Sequence, residues 1–320
     1  MKKFLTISGK ISVFFACVIV LAVSSFAQVS LRKAIDTDGD NKADFSVFRP
    51  SNSNWYILKS NGTGFTAQAF GLPNDDYVTP GDYDGDNKGD ISVWRDTNGT
   101  WYRLNSSNNT FTGIAFGQTG DEPVARDFDG DGKTDVAVAR RTNGAIIWYA
   151  LRSSNGALIA AQFGNSTDFT APGDYDGDGK FDFAVQRPGA TASAQANFYV
   201  QKSSDGGLIA QSWGLSNDLV VPGDYDGDGK TDFAVVREGS PSLSWFVLQS
   251  SNGALFTRTF GTTVSDLNVQ NDYDGDGKCD IAVWRDNNGT FYVLKSSDGG
   301  LIAQTWGAPS DFPIAGYDTH

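Results

Sequence analysis

The sequence predicts an all-β fold, a β-propeller of six four-stranded blades. Two observations carry this expectation. First, a nine-residue phrase, Asp-x-Asp-Gly-Asp-x-Lys-x-Asp, returns six times, starting at Asp36, Asp82, Asp127, Asp174, Asp224 and Asp272, at intervals of 46, 45, 47, 50 and 48 residues. A period of that length means one supersecondary unit repeated. Second, the residues between phrases read as short alternating strands and turns, and four strands per unit of about 47 residues suit a propeller blade. Seven blades, one of them incomplete, is the alternative count.

The second unit shows the elements in order. Asp90 to Arg95 alternates and is β-rich, and Asp96 to Gly99 is a turn containing Asn-Gly, the favoured type I′ pair. Trp101 to Leu104 is the next strand, Asn105 to Asn109 turns again, and Phe111 to Gly117 is a third strand. A short segment through Asp121 and Pro123 reaches the next loop as a fourth. The other units repeat the plan, with second turns at Asn61-Gly62, Asn155-Gly156, Asp205-Gly206, Asn252-Gly253 and Asp298-Gly299. No segment holds a helical period. Radial blades leave few open sheet edges. The tail after the sixth unit, Ser310 to Asp318, resembles the approach to a loop that never follows. It is expected to latch the ring by pairing with the first blade beside Val29 to Ile35.

Residues 1–27 read as a signal peptide. Met1-Lys2-Lys3 and Lys10 are basic, Ile11 to Val23 is apolar, and Ser25-Phe26-Ala27 suits cleavage. The apolar run is short for a membrane span, and Cys17 sits inside it rather than at its end, against lipidation. Residues 28–320 are expected to form a single domain, with units beginning near 29, 76, 121, 168, 218 and 266 and a closing tail over 308–320. The expected location is outside the cytoplasm: extracellular, cell surface or periplasm.

Removing Lys2, Lys3 and Lys10 from the 25 basic residues leaves 22 against 38 acids, a net of −16. Only Glu122 and Glu238 are glutamates, and both read as peripheral; 24 of the 36 aspartates lie in the six phrases. Localised acidity of this kind does not suit nucleic acid or anionic lipid. Beyond residue 27 there is one cysteine, Cys279, read as an incidental free thiol, and one histidine, the terminal His320. Ser-His-Asp and Cys-His chemistry, zinc clusters and internal disulfides are thereby disfavoured.

The phrases read as calcium loops. Calcium takes six to eight oxygens at flexible distances, and carboxylates with a backbone carbonyl suit it better than the stricter magnesium. The expected ligands are Asp36, Asp38, Asp40, Lys42 and Asp44 in the first loop, and Asp82, Asp84, Asp86, Lys88 and Asp90 in the second. The third supplies Asp127, Asp129, Asp131, Lys133 and Asp135, the fourth Asp174, Asp176, Asp178, Lys180 and Asp182. The fifth supplies Asp224, Asp226, Asp228, Lys230 and Asp232, the sixth Asp272, Asp274, Asp276, Lys278 and Asp280. Each lysine, at position 7, offers only its backbone carbonyl, its ammonium pointing to solvent. Glycine at position 4 and glycine or asparagine at position 6 allow the positive φ of a tight curl. Up to six Ca²⁺ are expected, and would bring the net charge to about −4.

Phe70-Gly71, Phe116-Gly117, Phe163-Gly164 and Phe260-Gly261, with Trp213-Gly214 and Trp306-Gly307, precede the approach to a loop. With the phrases, they resemble the FG-GAP repeat family, also described as VCBS-type repeats, of integrin-α-like propellers. The resemblance spans about residues 29 to 318. It implies calcium in the loop between the first and second strands of each blade, held by the aspartates named above. Two departures stand out: every unit keeps all four aspartates, and no flanking domain announces a partner.

Arg49, Arg95, Arg140, Arg187, Arg237 and Arg285 end the strand after each loop, and Asp76, Asp121, Asp168, Asp218, Asp266 and Asp311 recur six residues before a loop or its tail counterpart. They are expected to pair between neighbouring blades. The sharper alternative is a ring of sugar pockets, with Trp55, Trp94, Trp101, Trp148, Trp245, Trp284, Phe198 or Phe291 as stacking platforms. Core packing is the expected use of those rings. Asn-Gly-Thr at 61, 98 and 288 is explained by turns, and the insertion Pro188 to Asn197 is a candidate rim loop for a partner.

The expected function is a non-enzymatic, secreted, monomeric binding or adhesion scaffold for a protein or glycan, with calcium structural and no catalytic residues. A lectin with inter-blade pockets is the alternative. A calcium-assisted polysaccharide lyase or a glycosidase is the lesser one, because few acids remain unexplained for a carboxylate pair.

Overall fold

The strand after each loop is dense in Val, Ala, Ile and aromatic residues and is almost wholly buried, as Ile91–Arg95 and Ile281–Arg285 show. The next strand alternates buried and half-buried positions. The outer strand alternates half-buried and exposed ones. Burial thus falls from the middle of a sheet to its outer edge. A computed structural model describes residues 33–73, 75–263 and 265–315. The expected signal peptide, Cys17 and His320 lie outside them.

The described residues form six four-stranded antiparallel sheets, the blades of a β-propeller. Blade 2 runs outward through Asp76–Val78, Ile91–Arg95, Thr100–Leu104 and Phe111–Ala115. The short segment after each outer strand opens the next blade rather than finishing its own, as Glu122–Pro123 does by pairing with Val136–Thr142. Blade 1 takes its inner strand from the other end of the chain, where Phe312 and Pro313 pair with Phe48 and Val47. The expected latch on the first blade therefore forms, by pairing with Phe45–Arg49; Ile35 shares a core with Ile314, and Val29 to Arg32 of the segment expected beside the tail lie outside the described residues. Phe45–Arg49 carries the free edge equivalent to those that every other inner strand fills.

The indoles and phenyl rings considered as sugar platforms are core. Trp55, Trp94, Trp101, Trp148, Trp245, Trp284, Phe198 and Phe291 are at most 2% exposed. Trp55, Trp101, Trp148 and Trp245 donate their Nε1–H to the carbonyls of Phe70, Phe116, Phe163 and Phe260, at 3.1, 2.9, 2.9 and 3.0 Å. Each acceptor is the Phe of a Phe-Gly pair. The following glycine has φ near +100° at Gly71, Gly117, Gly164 and Gly261, where the chain turns to the next blade. The pair is thus a hydrogen-bonded corner under a buried indole.

The Arg–Asp pairs form in all six blades, but within a blade. Arg95 donates Nε–H and Nη2–H to Asp76 at 2.7 and 2.9 Å, and Arg49 reaches Asp311 at 2.7 and 2.8 Å. The reason is topological: the aspartate starts the inner strand, and that strand belongs to the arginine's sheet. Each arginine also lies over the next strand's aromatic ring, as Arg95 over Tyr102 and Arg237 over Phe246, at 4.5 and 4.6 Å. The carboxylate also reaches toward the neighbouring blade. Asp76, Asp121 and Asp218 accept the N–H of Leu72, Gln118 and Leu215, at 2.7, 2.9 and 2.7 Å, from the incoming connection.

The turn at Asn98-Gly99 is also not type I′. Asp96–Asn98 forms a 3₁₀ turn and only Gly99 is left-handed, whereas Asn143-Gly144, with φ of 50° and 78°, meets the positive-φ requirement of type I′.

Candidate metal centres

Each loop curls because positions 4 and 6 accept positive φ. Position 4 is glycine throughout, with φ of 79–84°, and Asn41 and Asn87 at position 6 have φ of 67°. The curl aims backbone N–H groups at the first carboxylate. Asp127 accepts from Gly130 at 2.6 Å and Gly132 at 2.8 Å, and the other loops repeat this. The position-9 carboxylate accepts the N–H of position 2 and that of a serine on the outer hairpin. For Asp135 these are Phe128 at 2.9 Å and Ser153 at 2.6 Å.

That serine belongs to a group the sequence reading did not single out. Ser106-Ser107, Ser153-Ser154, Ser203-Ser204, Ser250-Ser251 and Ser296-Ser297 bracket the loops. The first hydroxyl of a pair donates to position 5, as Ser153 to Asp131 at 2.8 Å, and the second to position 3, as Ser154 to Asp129 at 2.6 Å. In the first loop Ser60 and Asn61 take these places. The available signal was a Ser-Ser or Ser-Asn pair at a fixed distance after every phrase.

Carboxylate oxygens within a loop converge. Those of Asp36, Asp38 and Asp40, of Asp82, Asp84 and Asp86, and of Asp127, Asp129 and Asp131 lie within 4.8 Å of one another; so do those of Asp174, Asp176 and Asp182, and of Asp224, Asp226 and Asp232. Oxygens on opposite sides of one calcium ion stand roughly 4.6–5.2 Å apart, twice the usual bond length. The spacing and the all-oxygen donor set therefore fit a hard divalent cation. The inner carboxylates are costly to ionise otherwise. Burial pushes Asp82, Asp127 and Asp174 up to about 6, and Asp135, Asp182, Asp232 and Asp280 up to about 7.

The loops are also tied to one another. The N–H of position 8 donates to the position-1 carbonyl of the preceding loop: Gly89 to Asp36, Thr134 to Asp82, Phe181 to Asp127, Thr231 to Asp174 and Cys279 to Asp224, at 2.7–2.8 Å. Ala43 to Asp272, at 2.7 Å, closes the circle. The lysines follow the same path, and for Lys133 the expectation of a solvent-pointing ammonium is corrected. Each stem is half-buried across the position-4 glycine of the preceding loop, where a Cβ on Gly39, Gly130 or Gly275 would stand 2.9–3.1 Å from Lys88, Lys180 or Lys42. The Nζ of Lys133 donates to the Asp84 carbonyl at 3.1 Å. A bulky residue cannot take the glycine's place without displacing its neighbour's lysine.

Cys279 stands in this belt and is 2% exposed, between Gly223 and Tyr225. Burial raises its thiol pKa well above the ordinary value. Ellman's reagent is expected to leave a folded chain of residues 28–320 unmodified and to titrate one thiol on denaturation. Fast stoichiometric reaction of the folded chain would contradict this placement.

Among proteins of known family, residues 127–185 match the FG-GAP-like repeat. No curated protein matches the sequence. Among solved structures, TolB from Acinetobacter baumannii aligns with a TM-score of 0.56 at 16% identity, over 85% of this chain and 63% of that one. This chain thus spans less than two thirds of that protein's length. An Agrocybe aegerita lectin, described as recognising non-reducing terminal N-acetylglucosamine, aligns with a TM-score of 0.51 at 17% identity, over 82% of this chain and 90% of its own. AofleA from Arthrobotrys oligospora aligns with a TM-score of 0.51 at 9% identity, over 90% of each chain. At these identities the likeness concerns the fold alone.

Proposed function

We propose that this FG-GAP-type repeat propeller is an exported, calcium-clamped binding scaffold rather than an enzyme. The observation that supports it best is the closed belt of loop-to-loop hydrogen bonds. Six equivalent carboxylate clusters, each bonded to the next, distribute ions around a ring as clamps and single out none as a reacting centre. An ion held by the aspartates, with the position-7 carbonyls turned toward it, would fix the peptide whose N–H holds the preceding blade. Calcium supplies charge compensation there, and the chain's residues supply the geometry.

The glycan reading loses its stacking platforms, because the rings assigned to them are buried. The arginines assigned to sugar hydroxyls already serve Asp76 and its counterparts. A protein ligand is therefore the reading we favour. Equilibrium dialysis of residues 28–320 against millimolar calcium is expected to find several ions per chain, up to six. A chain that takes up none would end the clamp reading.

A further inference from the structure

Both glutamates of the chain line one cavity, where sequence reasoning had placed them at the periphery. Its volume is about 1040 Å³, at the upper limit of the usual range for ligand pockets, roughly 300–1,000 Å³. It lies where the inner strands of blades 2 to 5 begin, on the face opposite the aspartate loops, since each inner strand runs from this end to its loop. Tyr77, Glu122, Phe169 and Leu219, each directly following the ion-paired aspartate, line it from four successive blades. Phe169 is 44% exposed.

One wall is made of what distinguishes blade 4 from the others. Ala192 and Ser193, from the insertion between its second and third strands, line the cavity. The insertion is fastened to the connection into blade 5: Gly189 N–H donates to Ser216 Oγ at 2.7 Å, Ser216 N–H to the Ala194 carbonyl at 3.0 Å, and Asn217 N–H to the Ala192 carbonyl at 3.2 Å. The wall is preformed.

The charges around the cavity are paired, with one exception. Asp121 binds Arg140 and Asp218 binds Arg237. Glu122 accepts from Arg141 Nη2 at 2.6 Å and from the Thr170 hydroxyl, and Arg141 Nη1 donates to the Asp168 carbonyl at 2.9 Å. Glu238 is exposed, and its carboxylate has no partner among the described residues. The cavity therefore offers apolar side chains, backbone edges and one free negative charge, on a chain with a formal net charge of −13.

We propose that this cavity binds a short polypeptide segment that carries an apolar side chain beside a basic one. The apolar group packs on Phe169, Tyr77 and Leu219, and the cation meets Glu238. A saccharide is a poorer fit, because it needs many free donors and acceptors while the carboxylates and guanidinia other than Glu238 are engaged with one another. Phe169 and Tyr77 do present aromatic faces, so it is this shortage of free polar groups, not of stacking surface, that disfavours a saccharide. The inference deepens the reading of the chain as a binding scaffold and names the part that does the binding.

The test uses residues 28–320 in millimolar calcium and a fluorescein-labelled Leu-Lys-Leu-Lys peptide followed by anisotropy. Saturable binding is expected, weakened about tenfold or more by Glu238→Gln, by Phe169→Ala and by the wall-filling Ser193→Trp, with no binding of the Leu-Glu-Leu-Glu counterpart. Three results would overturn the site. One is no saturable binding by a chain whose circular dichroism and calcium uptake are intact, which sinks the cavity while leaving the clamp reading in place. Another is binding unchanged by Phe169→Ala and Ser193→Trp, which assigns the peptide to the general acidic surface. The third is tighter binding of a glucosamine oligomer than of the peptide, which assigns the cavity to glycans.

Discussion

Chelating calcium from residues 28–320 is expected to lower the melting temperature by on the order of 30 °C. A ligand that binds only the folded state at a hundredfold excess over its Kd stabilises by about 2.7 kcal/mol, so six filled loops give about 16 kcal/mol. A chain of this size shifts roughly 2 °C per kcal/mol. The belt sharpens the expectation. Each position-8 N–H that holds the preceding loop follows directly on the lysine whose carbonyl is expected to face the ion. Emptying one loop therefore loosens its neighbour, and Asp135→Ala should release more than one calcium ion. Loss of a single ion, or a melting curve indifferent to chelator, would show that the loops are independent or ornamental.

How far the sequence could be read follows from what recurs in it. Blade number, loop curl and the aspartates all recur every 45 to 50 residues, so one unit explains six. The partners of Arg49 and its counterparts were found by the same period. Their placement within a blade was missed because the repeat phase does not say which sheet the segment before a loop joins. The Ser-Ser pairs are legible as spacing but not as partners, and only the closure of outer hairpin on loop shows Ser153 and Ser154 reaching Asp131 and Asp129. The belt was illegible because backbone hydrogen bonds between blades leave no residue-type signature. The cavity was illegible for the opposite reason: Glu122, Glu238 and the 188–197 insertion break the period in three different units. Each looks incidental until the ring brings them to one mouth.

Deleting residues 308–320 is expected to lower the melting temperature by roughly 10 °C, and the reason is the ring itself. Every other inner strand is joined covalently to the loop and sheet it completes. Phe312–Pro313 completes blade 1 from the far end of the chain, so that sheet closes the ring by pairing alone. The deletion removes Ile314, which is 1% exposed and whose N–H donates to the Ser46 carbonyl at 2.8 Å. Burying a side chain of that kind contributes about 1.5–3 kcal/mol. It also removes the bidentate Asp311–Arg49 pair, whose charged hydrogen bonds contribute about 1.5–3 kcal/mol each. Together these come to about 5 kcal/mol, which is roughly 10 °C in a chain of this size. The truncated chain should keep its other five blades, and a peptide of residues 306–320 added in trans should restore part of the lost stability, because the edge of Phe45–Arg49 stays open to it. An unchanged melting curve after the deletion would mean that blade 1 holds without its fourth strand and that the ring needs no latch.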